Sequence, residues 1–253
     1  TALGNDALLS VTTASNNVAI GAAAGDALTV GATNTAVGTA SLTSDTKGSQ
    51  STAIGKGTLN AQNFTTATNA LNTAVGFEAG NDITTGIGNT LIGGLAGDAI
   101  TDADFNTAVG YLALSTNTLG SRNTAIGPLA LNEMNPTTAT DTYNTAVGHG
   151  AGQVISTGIG NTIVGGLAGD ALTEGQYNSV LGRSALSAAT TGSFNVALGS
   201  FSLLSNTTGA DNVSVGYDSL ANNTTASYNT AVGRNALKTN ILGSKSVALG
   251  YSA

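Results

Sequence analysis

"NTAVGYLALSTNTLGSRNTAIG", Asn106 to Gly127, ends on nearly the phrase with which it begins. The phrase stands again at Asn34 as "NTAVGTASL" and at Asn229 as "NTAVGRNAL", so the repeat has to be measured before any local element is assigned. The Gly that closes each "AVG" serves as a marker. It falls at Gly4, Gly21, Gly38, Gly55, Gly76, Gly93, Gly110, Gly127, Gly148, Gly165, Gly182, Gly199, Gly216, Gly233 and Gly250. Of these fourteen intervals, twelve are 17 residues and two are 21. A 72-residue period lies above them, since "GIGNTLIGGLAGDAITDADFNTAVG" from Gly86 returns as "GIGNTIVGGLAGDALTEGQYNSVLG" from Gly158. The phase never drifts, and residues 1–253 read as a single repeat array.

Composition narrows what such an array can be. The chain is 41% hydrophobic, but only 4% aromatic and 8% charged, with 35 Gly and no Trp. A core must therefore come from small residues in regular, close backbone packing. The absence of Cys excludes a disulfide framework, Cys-based zinc sites and thiol catalysis. Fourteen acidic and seven basic residues are spread thinly for a net charge of -7. No basic run could neutralise a phosphate backbone, so nucleic acid is not an expected partner. No stretch reaches the roughly 18 apolar residues of a membrane span, and "TALGNDALLS" lacks the features of a signal peptide.

Each repeat position has its own demand. The residue before the marker is always Val, Ile or Leu, and two residues earlier stands Thr, Val or Ser. In a strand these share one face. That face is placed inside the coil, which makes Val37, Val75, Ile92, Val109, Ile126, Val147, Val164 and Val232 a buried row. The opposite face carries Asn or Ser, then usually Ala, then the Gly, and small residues there predict close approach of another backbone. Four residues after the marker stands either Leu or Gly. Where it is Gly (Gly25, Gly80, Gly97, Gly152, Gly169), the residue three further on is Leu28, Ile83, Ile100, Ile155 or Leu172. Where it is Leu, that later site is usually polar or small, as in Asp45, Asn117, Ala189, Asn206, Asn223 and Asn240. One space per rung thus takes one large aliphatic group from either of two places, worth roughly 1.5–3 kcal/mol. The remainder reads as a turn, with Thr eighth after the marker in ten of fourteen units. The 21-residue units extend this corner with "NFTTATNA" and "MNPTTATD".

A 17-residue unit with two short strands and two corners predicts an all-β chain, a parallel β-solenoid or β-roll of about fifteen rungs stacked at roughly 4.8 Å. Asn17, Asn34, Asn72, Asn89, Asn106, Asn123, Asn144, Asn161, Asn178, Asn195, Asn212 and Asn229 are expected to form an amide ladder along one edge. A thin coil with an exposed Ala/Gly face predicts self-association, and three chains around an axis would also shield sheet edges.

The runs "SVALGYSA" at Ser246, "NVAIGAAA" at Asn17 and "NVALGSFS" at Asn195 resemble the head repeat of YadA-type trimeric autotransporter adhesins. The Asn106 stretch is similar to the 17-residue repeats of phage tail fibres and related bacterial surface fibres. The resemblance spans essentially the whole chain and implies a left-handed β-roll in a parallel homotrimer, extracellular, on a cell surface or virion. The chain departs from the shorter head repeat in its 17-residue unit and its frequent strand Thr, and it carries no coiled-coil neck, anchor or chaperone domain. Both ends fall inside the motif, so it is expected to be a piece of a longer fibre.

Little in the sequence suggests chemistry. His149, the only His, has no second His or Cys with which to hold a metal. Asp98, Asp102 and Asp104, and the "AGD" of Asp26, Asp98 and Asp170, invite calcium, but the acidic pattern does not persist along the stack. Asp102 and Asp104 supply the residue types of glycoside hydrolysis without a recognisable cleft. No catalytic, cofactor or metal residues are assigned. Aromatic residues fall beside the Asn corner (Phe105, Tyr143, Tyr177, Phe194, Tyr228) or just after the marker (Phe77, Tyr111, Tyr217, Tyr251), where they plug a seam or offer platforms to sugars. The expected function is a structural and adhesive fibre segment that holds a receptor-binding tip, with itself as partner and a host or surface receptor, glycan included, beyond it. The alternative is ice binding through Thr ladders: outward paired Thr rows would favour ice, and inward Thr with an Ala/Gly seam would favour the fibre.

Overall fold

The computed structural model describes residues Thr1–Ala253. The chain is all-β without helix, a parallel β-solenoid of about fifteen turns. It divides into two compact units. The first comprises Thr1–Asn123 with Pro136–Asp141, and the second Thr124–Asn135 with Thr142–Ala253. Each unit is built in the same way.

In the first unit the main strands run from Ala2–Leu3 through Val18–Ile20 to Thr107–Val109; in the second they run from Thr124–Ile126 to Val247–Leu249. Pairing is parallel and keeps the repeat's register: Thr35, Ala36 and Val37 lie beside Thr52, Ala53 and Ile54, and Thr145, Ala146 and Val147 beside Thr162, Ile163 and Val164. Each turn has one strand of two or three residues, where two had been expected. A second short ladder forms only at the 21-residue rungs, between Gly48–Ser49 and Thr68–Asn69 and between Gly120–Ser121 and Thr140–Asp141.

Backbone conformation explains the missing second strand. Ala40, Leu42 and Gln50 have φ of 54°, 51° and 63°, and the equivalent residues of nearly every turn are also left-handed. Such residues cannot continue a strand, and each non-Gly one costs roughly 1–2 kcal/mol. The corners still stack turn on turn, as where Thr190 N–H donates to Thr207 O at 2.9 Å.

The two faces of the strand are reversed from the expectation. The central Ala column is fully buried, as at Ala36, Ala74, Ala108, Ala146 and Ala231. Val37, Val75, Val109, Val147, Val164 and Val232 are only half-buried, and Ile92 and Ile126 are exposed at 40% and 39%. The interior is too narrow for them. A Cβ on nearly every marker Gly, at φ between 127° and 144°, would fall within 3.0 Å of the next marker's backbone. Turns therefore close on one another at the Gly, and only Ala fits beside it at most rungs. The backbone that the small residues meet is the chain's own next turn.

The remaining interior follows the two-place pattern. Leu42, Leu59, Leu114, Leu131, Leu186, Leu203 and Leu220 are fully buried, as are Leu28, Ile83, Ile100, Ile155 and Leu172 in the Gly rungs. Leu91 and Ile163 replace Ala in the strand where the turn carries Gly97 or Gly169. A Cβ at Gly80 or Gly97 would sit 2.7 Å from a Leu91 methyl. Leu91 thus fills the space left at two successive Gly turns, and Ile163 does the same between Gly152 and Gly169, as close packing requires.

Candidate interaction surface

The Asn column lies inside the fold. Asn34 to Asn229 in this set are at most 1% exposed and Asn17 is 6% exposed. Asn161 shows the pattern. Its Oδ1 accepts from the backbone N–H and the Nδ2 of Asn178, both at 3.0 Å. Its Nδ2 donates to Gly175 O at 2.9 Å and to Asn144 Oδ1 at 3.1 Å. The side chain replaces water for a neighbouring corner carbonyl and links three turns, so it is a structural device closed to ligands.

A second buried polar column was legible only as polar or small. Asn117 accepts from Gly120 N–H at 2.9 Å and donates to Gly120 O at 2.7 Å. Asn223 donates to Asn206 Oδ1 at 2.9 Å and to Ala226 O at 3.0 Å. Asp45 takes the same place and accepts from Gly48 N–H at 2.8 Å and Gln62 Nε2 at 2.7 Å. These groups close the corner where the aliphatic residue comes from the Leu position. The turn threonines are also engaged: the Thr29, Thr173 and Thr207 hydroxyls donate to carbonyls of the next turn at 3.0–3.1 Å.

The acidic residues do not converge. No group of three His, Cys, Asp or Glu side chains is placed to hold a metal ion. Asp102 accepts from the Thr85 and Thr84 hydroxyls at 2.7 and 2.8 Å, which hold its carboxyl below the ordinary range. Asp104 accepts from Ile87 N–H at 2.8 Å, so the two carboxylates serve different partners. One oxygen each of Asp26, Asp98 and Asp170 is buried without a partner. Burial pushes the Asp98 carboxyl up to about 6, with repulsion from Asp82 and Glu78 added, and burial also raises Asp170. Elsewhere in this column Asn60 and Asn81 donate to Ala40 O and Gly57 O, which a carboxylate cannot do. His149 is exposed beside a marker.

What remains is the outer face of the main strands. Because the Ala row is inside, two columns look outward: Thr, Val or Ser three before the marker, and Val, Ile or Leu one before it. Neither column holds a charged residue in any rung. The residues flanking this stripe differ sharply from the rest of the surface. All six Tyr, three of the five Phe, five of the seven Lys and Arg, and His149 stand either five before or one after a marker. Only one of the fourteen acids, Asp211, does so. Phe105, Tyr143, Tyr177, Phe194 and Tyr228 are 47–59% exposed. Tyr177 and Phe194 stack with ring centroids 5.4 Å apart, Arg122 lies over Phe105 at 5.1 Å and Arg234 over Tyr217 at 5.3 Å. An uncharged stripe between basic and aromatic margins is the chain's most distinctive surface.

Comparison with protein-family models, with curated proteins and with solved structures gave no match. No helix is long and apolar enough to cross a membrane.

Proposed function

We propose that the chain is a structural segment of a trimeric surface fibre, a stiff shaft or head that presents a receptor-binding tip and performs no catalysis of its own. The observation that carries this reading is the outward aliphatic column, which repeats without interruption in the main strands of both units. Soluble single chains rarely leave an apolar stripe of that extent in water. Two further copies packed face to face around an axis would bury it. The proposed setting is extracellular, on a cell surface or virion, with a receptor of glycan or other chemistry engaged by the fibre. The small-residue seam that first suggested self-association plays no part, because that face lies inside the coil.

One observation favours ice binding as a second reading: the strand Thr column faces outward, as a lattice-matching surface requires. Three features weigh against it. The neighbouring outward column is aliphatic, Val18, Val196, Val213 and Val247 interrupt the Thr, and the turn Thr hydroxyls are bonded within the chain.

The test is to charge the stripe. Val75→Glu with Val147→Glu places carboxylates on half-buried outward positions that no turn needs. Sedimentation should show the parent chain assembled and the variant as single chains with the β circular dichroism kept. An unchanged association state would refute the proposal, and ice-recrystallisation inhibition by the dissociated variant or the parent would transfer support to the second reading.

A further inference from the structure

Charge is divided unevenly along the chain. Residues 182–253 hold four cations, Arg183, Arg234, Lys238 and Lys245, against two acids, Asp211 and Asp218, for a local net charge of +2. The whole chain carries -7, so residues 1–181 carry -9, from three basic and twelve acidic residues. The last five turns are a basic end on an acidic protein, and such asymmetry points to an anionic partner.

Within this end, the column just after the marker sets four hydrogen-bond donors in consecutive turns: Arg183, Ser200, Tyr217 and Arg234. Turns stack at about 4.8 Å, so the outer two stand roughly 14 Å apart along the coil. No acid occupies this column at any of the fifteen markers. Arg183 lies over the Phe201 ring at 4.6 Å, Phe201 meets Tyr217 edge-on at 5.7 Å, and Arg234 lies over Tyr217 at 5.3 Å. Both arginines are exposed, and Asp218, the residue after Tyr217, is paired with Lys238 and leaves them free of a carboxylate. A guanidinium stacked on a ring is held in plane while its N–H edge stays available, so less freedom is lost when it takes an anion. No turn needs these side chains, since the same column takes Ala22, Thr39 and Pro128 elsewhere.

We infer that this row binds a linear acidic polysaccharide lying along the coil, with sugar carboxylates on Arg183 and Arg234 and sugar hydroxyls on Ser200 and Tyr217 between them. The donor pattern selects the class. Nucleic acid carries a phosphate at every unit and binds through many cations. Two cations separated by neutral donors instead fit carboxylates separated by uncharged, hydroxyl-bearing sugars, and the exposed Tyr217 ring adds an apolar contact for their C–H faces. The inference goes beyond the fibre reading, which puts receptor contact at a tip, because each copy carries this row on its own.

Hyaluronan oligosaccharides, with a carboxylate on every second sugar, are the probe, and calorimetry at low salt is the assay. The parent should bind them, more weakly as salt rises, and should not bind neutral dextran. Arg183→Gln and Arg234→Gln should each weaken binding about ten-fold or more with melting unchanged. Lys56→Gln, which removes a cation of the same column over Phe77 in the first unit, should leave it unaltered. Absence of binding, equal losses in all three variants, or tighter binding of duplex DNA or phosphatidylserine vesicles would overturn the site. Sedimentation of the same samples keeps the two readings apart: a single chain that binds refutes the fibre alone, and an assembly that does not bind refutes this site alone.

Discussion

Replacing one marker glycine tests the closure of turn on turn. Gly165 has φ of 137°, and a Cβ there would lie 2.5 Å from Gly182 O. Gly165→Ala therefore combines backbone strain of about 1–3 kcal/mol with a steric clash that forces the two turns apart. Separation stretches the bonds from Gly182 N–H to Val164 O at 2.9 Å and from Ser184 N–H to Gly166 O at 3.1 Å, each worth about 1 kcal/mol. The total loss is about 3 kcal/mol or more. At roughly 2–4 °C per kcal/mol for a chain of this size, melting followed by circular dichroism should fall by about 6–12 °C. Gly250 is the control, since it has nearly the same φ, 131°, but nothing within 4 Å of its added Cβ. Gly250→Ala retains only strain, which a last turn relieves by local opening, so its effect should stay below about 1 kcal/mol. Equal losses at the two positions, or a loss under about 0.5 kcal/mol at Gly165, would refute the reasoning.

Other substitutions probe the remaining devices. Asn161→Ala leaves Gly175 O and Asn178 N–H without partners and should cost about 2–4 kcal/mol in urea unfolding. Gly152→Leu alone presses on Ile155, whose terminal methyl lies 2.9 Å from the added Cβ, whereas Gly152→Leu with Ile155→Asn rebuilds the other rung type. A double-mutant cycle should give a favourable coupling of about 1–3 kcal/mol, and additivity would contradict the shared-space account. For Asp98 the folded pKa of about 6 lies above the ordinary 3.8, so the native state binds more protons between them. Its contribution to stability therefore falls as pH rises from about 4 to 6 and stays unfavourable above that window. Asp98→Asn should melt higher than the parent at pH 7 and flatten the pH profile, as the Asn60 and Asn81 hydrogen bonds in the same column suggest. A variant less stable at pH 7 would count against burial as the cause.

The period, the parallel register and the exchange between Leu and Gly rungs were legible because each compares one rung with another. Which strand face lies inside was not. Alternation defines two faces without choosing between them, and side-chain size argued for Val and Ile inside, whereas the Gly-to-Gly closure puts the mostly Ala column inside. One signal did point the right way. The largest residues in the Ala column, Leu91 and Ile163, share their rungs with Gly97 and Gly169, as residues competing for one interior must. The single strand per turn could not be read either, because Leu, Tyr and Phe at the corners disfavour the left-handed backbone they adopt. The stripe and its margins became visible only once the faces were assigned, although the crowding of cations and rings into two columns had been present in the sequence throughout.

The mass of the chain in dilute solution, measured by light scattering at physiological salt, bears most directly on the claim that the outer stripe is covered by other copies. The account predicts three times 24.6 kDa. A stable value of 24.6 kDa at all accessible concentrations would contradict it.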